Sequence, residues 1–220
     1  MNEDQVQGLF VTIEGIDGAG KSTQARLLAD RLRATGRQVV LTREPGGAPG
    51  AEEIRALLVE GDPDRWSPTT EMLLFFAARQ DHVEKTIRPA LDAGAVVICD
   101  RFTDSTRAYQ ATARPADAGA ARAKIDLIHD QIIQLDPDLT LVFDMDPSQA
   151  LNRGLARDNG DDRFEQMGDG FQAKLRDNFQ SLVDEFDRCV KIDAQGEPDE
   201  VATRVWAAFR DWPKLRGPED

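Results

Sequence analysis

The decapeptide Glu14-Gly15-Ile16-Asp17-Gly18-Ala19-Gly20-Lys21-Ser22-Thr23 constrains the fold of this chain more than any other stretch. From Gly15 to Ser22 it fits the pattern G-x-x-x-x-G-K-[ST], whose glycines let successive backbone N–H groups converge on a phosphate. The apolar run Leu9-Phe10-Val11-Thr12-Ile13 before it predicts a buried strand. Ala25, Leu27, Leu28 and Leu32 after it predict an amphipathic helix, so the strand–loop–helix context of a phosphate loop is complete. A helix beginning near Lys21 adds the positive end of its dipole to the nest. Lys21 can then reach the β- and γ-phosphates of a nucleotide, and the Ser22 hydroxyl can ligate magnesium. These residue types predict a bound nucleoside triphosphate.

Four more short apolar runs follow, at 38–42, 95–99, 139–143 and 190–192, separated by helical patterns. That alternation predicts an α/β domain with a mainly parallel sheet, whose ligands gather at the carboxyl ends of the strands. Length suits one domain spanning residues 1–220. A helix from about residue 70 is expected to be kinked or ended by Pro89, and a helix over 118–134 to place Ile125, Ile128, Ile132 and Leu135 on one face. The turn-forming, charged stretch at about 153–168 reads as a lid or binding loop.

The net charge of −13 argues against a nucleic-acid polymer as partner, so an anionic nucleotide must meet a local basic cluster. Cys99 and Cys189 adjoin apolar runs without C-x-x-C spacing and are expected to be buried and reduced. His82 and His129 lack a metal-ligand partner at the right spacing. The polar N-terminal residues do not form a signal peptide, and no apolar run approaches membrane-spanning length, so a cytoplasmic protein is expected.

Strand ends supply the candidate site residues. Asp100, at the end of the third apolar run, suits a magnesium or water-positioning role. Asp144 ends the fourth run in the same way; the cation next door, Arg101, favours Asp100. Arg43 follows the second run and can hold a phosphate by paired hydrogen bonds. Phe75 and Arg79, one turn apart, can present a ring and a guanidinium on one face to read a base, although helical spacing also suits Phe75 and Phe76 to the core. Arg153, Arg157 and Arg163 flank or lie within the lid, and Arg163 is suited to closing on phosphate. No nucleophile signature is present, and none is needed for direct in-line phosphoryl transfer.

Taken together, Glu14 to Thr23, Thr42-Arg43-Glu44-Pro45-Gly46-Gly47, Phe75-Phe76-Ala77-Ala78-Arg79, Asp100-Arg101-Phe102 with Ser105 and Ala108-Tyr109-Gln110, and Asp162-Arg163-Phe164-Glu165 resemble the motifs of the thymidylate kinase family. The resemblance implies a P-loop NTPase fold, a three-layer α/β/α sandwich on a five-stranded mainly parallel sheet, usually as a homodimer. It implies transfer of phosphate from ATP, with Mg2+, to dTMP, giving dTDP for dTTP biosynthesis. On that resemblance Gly15, Ile16, Asp17, Gly18, Ala19, Gly20, Lys21, Ser22 and Thr23, with Arg153 and Ala194, would bind ATP. Phe75 would stack on thymine, Arg79 would hydrogen-bond the base, and Thr106 and Gln110 would lie near its edge. Tyr109 would crowd the sugar 2′ position, Asp17 would contact the 3′-hydroxyl, and Arg43 and Arg101 would hold the acceptor phosphate. Gly18 stands where some members carry a basic residue, which implies the type whose catalytic arginine comes from the lid. Arg157 and Arg163 are favoured for that role beside Lys21 and Arg101; Gly154 and Leu155 occupy positions where related lids hold more arginines. The rivals are a kinase for another monophosphate or a deoxynucleoside, and a GTP-binding switch, against which the missing Asn-Lys-x-Asp motif speaks.

Overall fold

The computed structural model describes residues 8–62, 65–113, 115–155 and 169–213. Five strands form one sheet: β1 (Leu9–Gly15), β2 (Val39–Arg43), β3 (Val96–Asp100), β4 (Leu139–Asp144) and β5 (Cys189–Asp193). Their order is β2-β3-β1-β4-β5, and every pairing is parallel. Between and after them run α1 (Lys21–Ala34), α2 (Pro49–Val59), α3 (Pro68–His82), α4 (Arg88–Asp92), α5 (Thr103–Ala113), α6 (Ala118–Ile128), α7 (Pro147–Leu155), α8 (Asp169–Glu185) and α9 (Pro198–Arg210).

Strand side chains alternate between two cores, as a two-residue period requires. Leu9, Val11 and Ile13 join Val96 and Ile98 against α1, α8 and α9, through Leu28, Leu32, Leu175, Phe179, Val205 and Phe209. Phe10, Val97 and Cys99 face the other way, onto Met72 and Phe76 of α3, Phe102, and Ile125 of α6. A parallel sheet covered on both faces reads in sequence as unbroken apolar runs, which is why the strands were legible. From β1 the chain passes to β2 at one edge and returns through β3, then crosses β1 to reach β4 on its other side, and ligand crevices form at such a switch point.

Two helix expectations are corrected. Pro89 does not end the helix that begins at Pro68: the chain passes through a π-helical turn (Val83–Ile87), and Pro89 sits in the first turn of α4, where its missing N–H costs little. After α6 a second π turn (His129–Ile133) adds a residue to the helical repeat. Its shift in phase buries Ile133 and leaves Ile132 53% exposed, whereas the uninterrupted pattern placed Ile132 inside. Both cysteines are buried and unpaired with each other. No helix among the described residues is long and apolar enough to cross a membrane.

Candidate active site

The loop between β1 and α1 takes its shape from glycine. Gly18 has φ +78°, and a Cβ there would stand 1.9 Å from the Ala150 carbonyl oxygen, so this position excludes a side chain on steric grounds. The absence of a basic residue at this position therefore follows from how α7 packs on the loop. At its far end Lys21 opens α1, and its buried ammonium donates to the Ile16 carbonyl at 2.8 Å. Burial, with help from Arg101, pushes the Lys21 pKa down to about 8 against the pull of Asp17, Asp100 and Glu14.

Register brings the other strand ends to the same edge: Arg43 lies opposite Asp100, and Ile13 opposite Asp100 on the other side. The Ser22 hydroxyl donates to Asp100 Oδ2 at 2.5 Å. Asp100 and Ser22 are therefore adjacent, as a shared metal role requires. Asp144 is engaged elsewhere, paired with Arg176 at 2.5 Å and Lys191 at 2.8 Å. Of the two strand-end acids, Asp100 is the one that meets the phosphate loop.

Arg101 follows β3 in the left-handed region, at φ +73°, a conformation costing a non-glycine residue about 1–3 kcal/mol. Glu14 fixes the turn: buried at the end of β1, it accepts from the Phe102 N–H at 2.7 Å and the Ser105 hydroxyl at 2.6 Å. The Arg101 guanidinium donates to Ser105 Oγ at 2.9 Å, Asp17 Oδ1 at 2.6 Å and the Tyr109 hydroxyl at 3.1 Å. Tyr109 in turn donates to Asp17 Oδ2 at 2.7 Å. Although burial works the other way, Arg101 and Lys21 hold the Asp17 carboxyl well below the usual range. Burial pushes the Glu14 carboxyl up to about 7, and Asp104 adds to the effect.

Next to this cluster Arg79 is buried, donating to Glu44 Oε2 at 2.7 Å and to Thr106 Oγ1 at 3.1 Å. Phe76 belongs to the core, whereas Phe75 is half-buried and free of that role. Gln110 is buried on the same helix as Thr106 and Tyr109. Arg43 is half-exposed and pairs with Glu52 at 3.2 Å. On the opposite side Arg153 donates to the Gly196 carbonyl at 3.1 Å, and the buried Ala194 donates its N–H to the Asp144 carbonyl at 2.9 Å. These two residues, far apart in sequence, therefore border one region beside the loop. Arg157 and Arg163 lie outside the described residues.

Sequence reading passed over two supports. Glu14 opens the loop motif in sequence, yet an acid in phase with Phe10 and Thr12 points into the molecule and needs donors. His82 lacks metal spacing, but its ring joins Glu44 Oε1 at 3.1 Å and Thr42 Oγ1 at 2.8 Å. Among the described residues no group of three His, Cys, Asp or Glu side chains could hold a metal.

A parallel sheet in the order 2-3-1-4-5, with a glycine-rich loop between β1 and a helix opened by Lys-Ser, defines a P-loop NTPase domain. The family model described as thymidylate kinase matches residues 13–205. The thymidylate kinase of Jannaschia sp. (strain CCS1) is 60% identical over 198 residues, covering 90% of this chain and 93% of that protein. That of Caulobacter vibrioides is 51% identical over 200 residues, covering 90% and 94%. The crystal structure of thymidylate kinase from Ehrlichia chaffeensis superposes with a TM-score of 0.72 at 33% identity, covering 92% of this chain and 99% of that one. The chain belongs to the thymidylate kinase family.

Proposed function

We propose that the protein transfers the γ-phosphoryl group of ATP, with Mg2+, to dTMP, giving dTDP and ADP, as a cytoplasmic enzyme. Family membership supports the reaction, and one observation on this chain carries it: Arg101 and Lys21 approach the same carboxylate, Asp17, at 2.6 Å and 4.0 Å. Two cations, one opening α1 and one just after β3, thus meet where a donor phosphate in the loop and an acceptor phosphate beside β3 would face each other. In-line transfer needs that arrangement, since its catalysis is positioning and charge stabilisation.

The remaining roles in this reading are those that the family resemblance implies. Residues Gly15 to Thr23 cradle the triphosphate, with Arg153 and Ala194 bordering the adenosine side. Arg101 and Arg43 hold the acceptor phosphate, Asp17 the 3′-hydroxyl, and Tyr109 the sugar. Phe75, Arg79, Thr106 and Gln110 surround the base. Arg157 and Arg163, which lie outside the described residues, are the arginines assigned to the transferring phosphoryl group, in a lid segment whose role is to exclude water. Ser22 and Asp100 are hard oxygen donors one hydrogen bond apart, which fits Mg2+ carried mainly by phosphate oxygens and water. Magnesium supplies charge neutralisation on those oxygens when bound. The side chains of Leu57, Val59, Leu73, Leu127 and Ile132 are exposed on α2, α3, α6 and the turn after it, which supports a homodimer through that side.

The test is ATP-coupled turnover with dTMP, dUMP, UMP, CMP, AMP and GMP, with and without magnesium. Magnesium-dependent preference for dTMP is expected; preference for another monophosphate would overturn the acceptor assignment. Sedimentation at micromolar concentration tests the dimer.

A further inference from the structure

The buried Arg79 guanidinium has its donors divided unequally. Nε donates to Glu44 Oε2 at 2.7 Å and Nη2 to Thr106 Oγ1 at 3.1 Å, while Nη1 is buried with no partner among the described residues. The rings of Phe76 and Phe102 lie 5.0 Å and 5.1 Å from its Cζ. Its partner Glu44 is itself fixed, because the other carboxylate oxygen is taken by His82 Nδ1 at 3.1 Å. A carboxylate can only accept, so Nδ1 carries a proton; Nε2 then meets the Thr42 hydroxyl at 2.8 Å. His82 is fully buried and cannot turn toward solvent. Gly47 closes the chain: a Cβ there would stand 2.3 Å from His82 Nε2 and 2.5 Å from Thr42 Oγ1.

We infer that the chain Thr42–His82–Glu44 positions Arg79, and that the strength with which the acceptor site tells a base carbonyl from an amino group depends on this chain. Thr42, His82 and Glu44 are positioning residues; Arg79 is the group that touches substrate. The inference rests on the reading that Arg79 faces the base. A buried guanidinium N–H without an acceptor is costly, and a ligand carbonyl removes that cost. An amino group in the same place would leave two donors opposed, and sites built to hydrogen-bond a substrate reject the mismatched analogue strongly. If Glu44 were free to move, the guanidinium could swing and the rejection would weaken. His82 is what prevents that movement.

The experiment compares kcat/KM for dTMP with that for 5-methyl-2′-deoxycytidine monophosphate, which differs only at position 4 and its adjoining ring nitrogen. His82→Leu removes both hydrogen bonds at similar volume, His82→Asn restores a donor toward Glu44, and Thr42→Val removes only the far hydroxyl. The expected result is a fall in the dTMP preference of about tenfold or more in His82→Leu, partial recovery in His82→Asn, and a smaller fall in Thr42→Val, with KM for ATP unchanged. Equal losses on both substrates would make His82 a merely structural residue and overturn the inference. If His82→Leu does not fold, Thr42→Val decides, and an unchanged preference there overturns it. Arg79→Met separates the two levels. A preserved preference in Arg79→Met would overturn the base-reading role, and the inference with it. Preference lost in Arg79→Met but kept in His82→Leu and Thr42→Val would overturn the inference alone.

Discussion

Arg101 Nη2 lies 2.6 Å from Asp17 Oδ1, a contact that joins the turn after β3 to the phosphate loop. Because Lys21 stands 4.0 Å from the same oxygen, one carboxylate separates two cations that would otherwise repel in a buried space. Phosphate oxygens on either side could share those cations, which is the arrangement that charge stabilisation of a transferring group needs.

Lys21→Ala and Arg101→Ala are each expected to lower turnover by more than about tenfold, on the usual magnitude of a lost transition-state donor. Steady-state kinetics at saturating ATP and dTMP checks this. Near-normal turnover in both variants would mean that neither cation meets the transferring group.

For the lid, Arg157→Ala and Arg163→Ala are expected to reduce kcat by about tenfold or more while changing KM for dTMP little. The two parameters must be measured together. A loss confined to KM would assign these arginines to binding.

Glu14 gives a pH signature in stability. Its folded carboxyl is raised from 4.5 to about 7, so the folded state binds more protons than the unfolded one between these values. The stability associated with the protonated form is full below 4.5 and is lost as pH rises through about 7. The displacement corresponds to about 3 kcal/mol. Glu14→Gln is neutral throughout, so its unfolding free energy should gain on the wild type by about that amount across this window. Urea melts at several pH values check the difference, and parallel curves would refute it.

Asp104→Ala should be among the most damaging substitutions away from the nucleotide. Asp104 is buried between Arg107 at 2.9 Å and Arg188 at 2.5 Å. Burial acts to raise its pKa, yet these two arginines hold it below the usual range. Removing it takes the ion-pair partner from Arg188 and leaves Arg107 only Asp126, at 2.8 Å, among the described residues, at a cost of about 3–5 kcal/mol. The midpoint of chemical unfolding is the measurement, and a loss below about 1 kcal/mol would show that the arginines find other partners.

The sequence by itself determined the strand framework, the phosphate loop and the type of chemistry. Apolar runs ending in Glu14, Arg43, Asp100, Asp144 and Asp193 can be read because a doubly covered parallel sheet leaves few polar positions inside its strands, and motif spacing within one loop is a local property. Only the tertiary structure decided what depends on distance across elements. The pairing of Ser22 with Asp100, 78 residues apart, and of Asp144 with Arg176 and Lys191 shows which strand-end acid lies against the phosphate loop. The π turns at Val83–Ile87 and His129–Ile133 changed helix phase without a sequence signal, since a single added residue alters no local composition. His82 shows the limit most clearly: nothing near it in sequence marks it, because its partners Thr42 and Glu44 lie 40 and 38 residues away and meet it only when α3 packs beside β2.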